Sequence, residues 1–325
     1  AKKYSENIIA ERGLTKDSFV VEVASNDGYL LRNFLAEGIP CLGIEPTDST
    51  ANAAKKLGIP ILQEFFGEGL AKKLASDRQQ ADLIVGNNVF AHIPDINDFT
   101  RGMKALLKPN GTITLEFQHL MRLIADAQFD TVYHEHFSYL SLYTVCRIFE
   151  AVGLRIWNVE ELPTHGGSLR VYGCHEDDPR ATKQLVSVVL QEEKDRGLQQ
   201  LDVYLQFQQI ADKIKNDLLL FLIEQKQKGK KVAAYGAAAK GSTILNYAGV
   251  KPDLLPFVCD AAESKQGKFL PGSHLPIVSP GKLRETKPDY VIILAWNIAS
   301  EIREQLHDLT EQGIRLITVG PDLLD

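Results

Sequence analysis

Residues 20–31 read VVEVASNDGYLL, and this stretch decides the fold. The apolar run VVEV predicts a buried strand, the polar SNDG a turn, and the leucines that follow the start of a helix. Ligands of open parallel sheets bind beyond the carboxyl ends of the strands, where such helices also begin. The dinucleotide fingerprint GxGxxG is absent, and the oxygen-bearing side chains of this turn suit a cationic ligand better than a pyrophosphate.

Outward from this stretch, short β-branched runs alternate with helical patterns. They predict strands at 19–24, 40–45, 81–87 and 111–117, followed by an edge hairpin of strands 154–162 and 168–176. Residues 181–229 lack proline and carry apolar residues at helical spacing, which predicts one long helix or two stacked ones. A second alternating pattern predicts strands at 230–236, 254–260, 289–297 and 314–320. The chain is therefore expected to be an α/β protein with domains at 1–178 and 230–325 and a helical connector at 179–229.

Composition excludes several classes of protein. The 325 residues are 44% hydrophobic and 24% charged, which is ordinary for a folded protein of about two domains. A net charge of −6 argues against broad nucleic-acid binding. We find no apolar run near the ~18 residues of a membrane span and no signal-peptide pattern, so a cytoplasmic location is expected. A disulfide framework or cysteine zinc site is not predicted from four widely separated cysteines, Cys41, Cys146, Cys174 and Cys259. The oligomeric state is left open.

Polar residues end the neighbouring strands of the first predicted sheet. Glu45 closes the second strand, where an acid can accept hydrogen bonds from a ribose diol. For Asp27 the alternative is a helix N-cap, and for Glu45 alone a surface acid. Their order resembles that of the class I methyltransferases, which implies S-adenosylmethionine with its positive sulfonium and ribose diol. The candidate cofactor-binding residues are Ser25, Asn26, Asp27, Gly28, Glu45, Asn87 and Asn88.

The sequence YHEH at 133–136 places four proton-handling side chains in an aromatic-rich segment. Such side chains are costly to bury without partners. Metal binding is one alternative, but neither an HExxH spacing nor a nearby cysteine supports it, and no metal is predicted. A solvated loop is another. The interpretation we favour is general acid–base catalysis, with His92 of FAHIPD near the same cleft. A base with added donors suits removal of a proton next to a carbonyl, as carbon alkylation requires.

Eight blocks of the sequence together resemble the sugar C-methyltransferases. These enzymes methylate carbon 3 of nucleotide-linked, usually dTDP-linked, 4-keto sugars with S-adenosylmethionine. The resemblance covers nearly the whole chain and implies that His136 is the base, with Tyr133, Glu135 and His92 lining the same site. The blocks are EVASNDGYLL, GIEP, GNNVFAHIPD, LEFQHLMRLI, QFDTVYHEHFSYLS, ELPTHGGSLRVY, AYGAAAKGSTILNYAG and KQGKFLPGSHLPIVSP.

The second α/β region offers an anion site. After the strand ending at Gly236, small residues and a lysine open a helix, whose N-terminus favours a phosphate, although the Walker pattern is not matched. We interpret it as the platform for the nucleotide-sugar diphosphate; the alternative is a domain kept for packing. The candidate substrate contacts are Lys240, Gly241, Ser242, Asp260 and Asn297, with His165 of the glycine turn PTHGG.

The resemblance also implies an N-terminal zinc-binding segment with clustered cysteines that supplies a tyrosine to the active site. The 325 residues hold no such segment. Either they are a piece of a longer protein or this member works without it, and zinc is not predicted.

Three other functions remain as alternatives. An O- or N-methyltransferase of a small metabolite would not exchange a proton next to a carbonyl. A non-catalytic binding module has no need of the YHEH block. An NAD-dependent enzyme lacks support without GxGxxG.

Overall fold

The computed structural model describes residues 1–77 and 79–320, and the chain divides into two compact units. The first unit comprises Ala1–Met121 and Glu135–Gln199. The second comprises Arg122–His134 and the chain from Gln200 onward. Each unit is built around its own sheet.

The first unit holds a seven-stranded sheet with the strand order β3-β2-β1-β4-β5-β7-β6. Strands β1 to β5 are parallel, and β7 pairs antiparallel with both β5 and β6. This is the doubly wound arrangement with an edge hairpin that the sequence predicts. The strands are β1 Val20–Val23, β2 Cys41–Ile44, β3 Ile61–Leu62, β4 Ala81–Asn87, β5 Leu107–Gln118, β6 Leu154–Leu162 and β7 Ser168–His175.

Helices cover both faces of this sheet and bury its apolar side chains. Val21, Phe99 and Phe117 belong to one buried cluster, and Val20 and Phe34 to another. Since β1 is buried on both faces, its sequence is nearly continuously apolar. The helices are α1 Lys2–Arg12, α2 Leu31–Ala36, α3 Asp48–Lys56, α4 Glu68–Ser76, α5 Ile96–Leu106, α7 Leu142–Glu150 and α8 Gln184–Asp195. Helix α6, Leu120–Ala125, begins in this unit and continues in the second from Arg122.

The second unit holds a five-stranded parallel sheet with the order β10-β9-β8-β11-β12. Its topological switch point, where ligands of such sheets bind, lies between β8 and β11. The strands are β8 Val232–Tyr235, β9 Val258–Cys259, β10 Ile277–Val278, β11 Tyr290–Ile293 and β12 Arg315–Thr318. The helices are α9 Leu201–Gln227, α10 Ala239–Tyr247, α11 Gly281–Thr286, α12 Ala299–Gln305 and α13 His307–Glu311.

The compact units differ from the sequence-based division in two places. The segment predicted as a connector forms two helices, and these belong to different units. Val186 and Val189 of α8 are buried in the core of the first unit, whereas α9 packs in the second. Residues 122–134 interrupt the first unit because Ala127 and Phe129 are buried with Leu218 of α9.

Of the helices formed by the described residues, none combines the length and apolarity needed to cross a bilayer.

Candidate active site

The loop after β1 is shaped by unusual backbone conformations. Asn26 adopts a positive φ of 52° and Gly28 one of 80°. A Cβ at position 28 would lie 2.3 Å from Ile59 Cδ1 and would be strained at this φ, so glycine is strongly favoured there. Asp27 accepts a hydrogen bond from the Tyr29 N–H (3.2 Å) and does not cap α2, whose N-cap is Leu30.

Glu45 ties this loop to the end of β2. Its Oε2 accepts the Asn26 N–H at 3.0 Å and its Oε1 accepts the Thr47 N–H at 2.9 Å, while only 6% of the residue is exposed. A carboxylate has about four lone-pair sites, so each oxygen can still accept one more hydrogen bond. Glu45 is thus both an anchor for the loop and an acceptor suited to a ribose diol.

The remaining cofactor candidates differ in accessibility. Ser25 is fully buried, and its hydroxyl has no hydrogen-bond partner among the described residues. Asn88 has a positive φ of 53° and is exposed. Asn87 Oδ1, at the end of β4, is buried and accepts no hydrogen bond from the residues that the structure describes. A buried acceptor of this kind can accept a hydrogen bond from a ligand.

A buried carboxyl group lies in the strand behind this edge. Glu22 in the middle of β1 is 2% exposed, and burial raises its pKa, with smaller contributions from Asp27 and Glu45. The orphaned Asn87 Oδ1 and the carboxylates of Asp27 and Glu45 fit a cationic ligand that brings hydrogen-bond donors. S-adenosylmethionine has both properties.

The turn between β6 and β7 is fixed to the same edge. Thr164 Oγ1 donates to Glu116 Oε1 at 2.8 Å, and Arg170 pairs with Glu116 Oε2 at 2.7 Å. His165, at φ 54°, places its Nε2 3.1 Å from Asn88 Nδ2. His165 therefore lies beside a candidate cofactor residue, and Thr164 and Glu116, which the sequence reasoning did not single out, hold this turn in place.

Two histidines meet in the first unit. His92, in the 3-10 helix Phe90–His92 after β4, has its ring centroid 4.8 Å from that of His136, at 66° between the ring planes. The backbone fixes this pair, because the Phe137 N–H donates to the Ala91 carbonyl at 2.8 Å. His136 also packs edge-on against Tyr139 at 5.7 Å.

The tautomer of His92 follows from its partner. Its Nδ1 lies 2.8 Å from the Glu135 carbonyl oxygen, which can only accept a hydrogen bond. Nδ1 is therefore protonated, and in the neutral ring Nε2 is left as the basic atom.

The four residues of the YHEH block are divided between the units. Tyr133 and His134 belong to the second unit, Glu135 and His136 to the first. Tyr133 is half-buried, whereas Glu135 is exposed. Across residues 1–77 and 79–320, His, Cys, Asp and Glu side chains do not gather in threes able to hold a metal ion.

The substrate candidates of the second unit lie at the ends of its strands. Asp260 follows β9, and its Oδ2 accepts the Ala237 N–H at 2.8 Å and pairs with Lys265 at 3.1 Å. Gly241 is buried against Leu294, where a Cβ would be 3.0 Å from that side chain's Cβ. These two residues shape the loop and its packing.

The other candidates are more accessible. Ser242 is half-buried in the first turn of α10, and its N–H donates to the Ala238 carbonyl at 3.1 Å. Asn297 is exposed in the 3-10 helix Trp296–Ile298 after β11. Lys240 is half-buried, with its Nζ 4.3 Å from the centre of the Trp296 ring.

Comparison with known proteins finds a methyltransferase family match for each half of the chain. A methyltransferase-domain family profile matches residues 3–159, and a profile described as the C-methyltransferase C-terminal domain matches residues 163–321. The C-methyltransferase NovU of Streptomyces niveus is 35% identical over 321 residues, which are 99% of this chain and 76% of that protein.

More distant similarities are confined to part of the chain. An uncharacterized methyltransferase of Mycobacterium leprae is 27% identical over 99 residues, 30% of this chain and 36% of its own length. The crystal structure of an S-adenosylmethionine-dependent methyltransferase from Anabaena variabilis covers 54% of this chain and 84% of its own, at 14% identity and a TM-score of 0.44. That score is too low for more than a loose likeness.

Proposed function

The chain belongs to the S-adenosylmethionine-dependent C-methyltransferases, and we propose that it methylates carbon 3 of a nucleotide-linked 4-keto-deoxysugar, with dTDP as the nucleotide. The observation that carries this proposal is the contact between His92 and His136, in which a backbone carbonyl sets the tautomer of one ring. Carbon is not nucleophilic until a neighbouring proton is removed, so C-methylation needs a fixed base. A carbon between a ketone and an oxygen or nitrogen substituent offers such a proton.

The cofactor side of the reaction is proposed for the carboxyl edge of β1, β2 and β4. Glu45 would accept from the ribose hydroxyls, and Asn87 would accept from the amino-acid part with its orphaned Oδ1. Asn26, Asp27 and Gly28 would line the loop, with Ser25 supporting it from below and Asn88 at the rim. Bound S-adenosylmethionine supplies an electrophilic methyl group on a positively charged sulfur.

His136 is the proposed base. It takes the proton from carbon 3, and the electron pair of that C–H bond becomes the enolate, with the negative charge on the oxygen of the 4-ketone. Tyr133 and Glu135 would line the same site and support the enolate or orient the base, and His92, whose Nδ1–H is bound to the Glu135 carbonyl, would orient His136 through its ring contact. The enolate carbon would then bond to the methyl group while the methyl–sulfur bond breaks, and the sulfur would keep that electron pair and leave as S-adenosylhomocysteine; alignment supplies much of the rate.

Recognition of the nucleotide is proposed for the second unit. Lys240 and the Ser242 hydroxyl would bind the diphosphate at the start of α10, with Asn297 nearby on the chain that follows β11. Asp260 shapes that loop, Gly241 lets it pack, and His165 in the first unit would contact the sugar. The functional domains would then be 1–178 for the cofactor and 230–325 for the nucleotide, joined by 179–229.

Deuterium exchange tests this proposal without methyl transfer. The chain is incubated in D2O with a dTDP-4-keto-6-deoxysugar and S-adenosylhomocysteine, and carbon 3 is followed by proton NMR. We expect loss of the carbon-3 proton signal with the native chain and at least ~100-fold slower loss with His136→Asn, because a general base contributes roughly 10²–10⁴ in rate. Exchange at the solvent rate, with both ligands shown to bind, would contradict the proposal.

A further inference from the structure

Lys240 is held by an aromatic face and not by an acid. Its Nζ lies 4.3 Å from the centre of the Trp296 ring, and the described residues provide no hydrogen-bond acceptor for it. Burial lowers its pKa, and the charge of Asp130 opposes that shift. Among the described residues the ammonium is therefore left with N–H donors that a ligand could accept from.

The indole under Lys240 is fixed from its other side. Trp296 Nε1 donates to Asp130 Oδ2 at 2.7 Å, and Asp130 is only 6% exposed. Asp130 lies in the 3-10 helix Phe129–Thr131, whose Phe129 packs edge-on against Tyr247 of α10 at 5.7 Å. Because Asp130 is buried on a segment that is itself packed in place, its hydrogen bond fixes the orientation of the Trp296 indole.

Two glycines bring the lysine and the tryptophan together. A Cβ at Gly236, whose φ is 99°, would be 3.1 Å from Ala295 Cβ, and one at Gly241 would be 3.0 Å from Leu294 Cβ. The absence of both side chains lets the start of α10 pack against the end of β11. Lys240 and Trp296 thus meet at the switch point of the second sheet.

We propose that Asp130 and Trp296 are positioning residues for Lys240: Asp130 fixes the indole, and the indole face holds the ammonium where it binds the diphosphate of the substrate. This inference rests on the proposed function of Lys240. It assigns a role to residues 122–134, which include Tyr133. Lys265 of the same unit differs from Lys240, because its ammonium forms an ion pair with Asp260 at 3.1 Å.

Binding of dTDP, measured by calorimetry at pH 8, tests the three residues together. We expect Lys240→Met to weaken dTDP binding by ~10–100-fold, since hydrogen bonds to a charged group are lost. Trp296→Leu and Asp130→Ala should each weaken it by ~3–10-fold, and Trp296→Phe, which keeps the aromatic face, by less than Trp296→Leu. Asp253→Asn, which removes an exposed acid of the same unit, is the matched control and should have no effect.

A double variant separates positioning from simple destabilisation. If Asp130 acts through Lys240, Asp130→Ala should change dTDP affinity less than twofold when Lys240 is already Met. With the nucleotide sugar, KM should rise in the single variants while kcat stays within about twofold, because the loss is one of binding. Melting temperatures and the milder Trp296→Phe guard against loss of folding.

The possible outcomes separate the two proposals. If Lys240→Met leaves dTDP affinity unchanged, the diphosphate site is wrong and this inference falls with it. If Lys240→Met weakens binding but Trp296→Leu and Asp130→Ala do not, only the positioning role is overturned. Equal effects of Asp130→Ala in the native and Lys240→Met backgrounds would also overturn it.

Discussion

Glu45 at the end of β2 and Asp260 after β9 make the same two backbone hydrogen bonds in their separate sheets. One oxygen of each carboxylate accepts an N–H from the loop after the first strand of its sheet, Asn26 in one case and Ala237 in the other. The second oxygen accepts the N–H two residues further on, from Thr47 or Ala262. The same device thus closes the first loop in both sheets.

The difference lies in the charges around the two acids. Asp260 pairs with Lys265, whereas Glu45 has no cationic partner among the described residues and lies near the buried Glu22. At the carboxyl edge of the second sheet, Lys240 lies over the Trp296 ring and forms no ion pair with an acid among the described residues. A negative edge suits a cationic ligand and a cationic edge an anionic one, which is the division of labour that the proposed function assigns to the two sheets.

The largest expected effect tests whether the chemistry belongs to the first unit. His136→Asn should lower kcat by roughly 10²–10⁴-fold because the proton acceptor is lost. The dissociation constant of S-adenosylmethionine, measured by calorimetry, should stay within about twofold. His307→Asn, at an exposed position of the second unit, is the control. A variant that lost cofactor affinity and kept kcat would reverse the assignment.

Alanine substitution of Glu45 and of Asp260 tests the comparison between the two sheets directly. Glu45→Ala should weaken S-adenosylmethionine binding by ~10–100-fold, as acceptors for the ribose and the anchor of the loop are lost, and leave dTDP binding unchanged. Asp260→Ala should do the reverse, with a smaller loss of dTDP affinity through its distorted loop. Calorimetry with both ligands measures all four values. Loss of the same ligand in both variants would refute the division of labour.

Glycines at positive φ should differ in how well they tolerate a side chain, according to the space around them. Gly28→Ala combines a positive φ with a 2.3 Å approach to Ile59 Cδ1 and should cost ~2–3 kcal/mol in the free energy of unfolding. Gly58→Ala has a similar φ of 78° but open space, so it should cost only about 1 kcal/mol. Gly236→Ala should fall between them. Urea unfolding provides the ranking, and equal costs would show that crowding does not shape the first loop.

A pH titration should reveal the buried acid of the second unit. Burial raises the pKa of Asp130 to about 6. The folded chain then holds this proton more tightly than the unfolded chain, so stability should fall as pH rises from about 4 to about 6. In Trp157→Phe, Trp296 is the only tryptophan, and its emission should titrate near pH 6. Adding Asp130→Asn should abolish that step; a step that persisted would belong to another group.

The smallest effect is expected at the ion pair that distinguishes Asp260 from Glu45. Lys265 is 43% exposed in its side chain, so Lys265→Met should change the free energy of unfolding by about 1 kcal/mol or less. Urea unfolding at low and high salt measures it. A larger loss would mean that Asp260 requires its cation.

Much of the fold could be predicted because the strands are apolar and bounded by turn residues. The predicted strands at 81–87 and 154–162 match β4 and β6 residue for residue. Strands β3 and β10 were missed, since two residues carry no periodic pattern. The family and its cofactor could also be recognised from the sequence, because GIEP and YHEH are local motifs. The comparisons with known proteins confirm both.

Long-range contacts were out of reach. Asp130 and Trp296 are 166 residues apart, and neither has a neighbour in sequence that indicates the hydrogen bond between them. An acid between Phe129 and Thr131 is the one local hint, because a buried carboxylate needs a partner. The assignment of 122–134 to the second unit depends on the same tertiary packing. The roles of the site residues remain predictions that the variants above address.

The most direct test of the central claim follows the methyl group itself. The chain is incubated with S-adenosylmethionine carrying a ¹³C-methyl group and a dTDP-4-keto-6-deoxysugar labelled with deuterium at carbon 3, and the product is analysed by carbon–proton NMR and mass spectrometry. We expect a ¹³C-methyl group bonded to carbon 3, with the deuterium lost. A methyl group on oxygen or nitrogen, or one on carbon with the deuterium retained at carbon 3, would contradict enolate formation at that carbon.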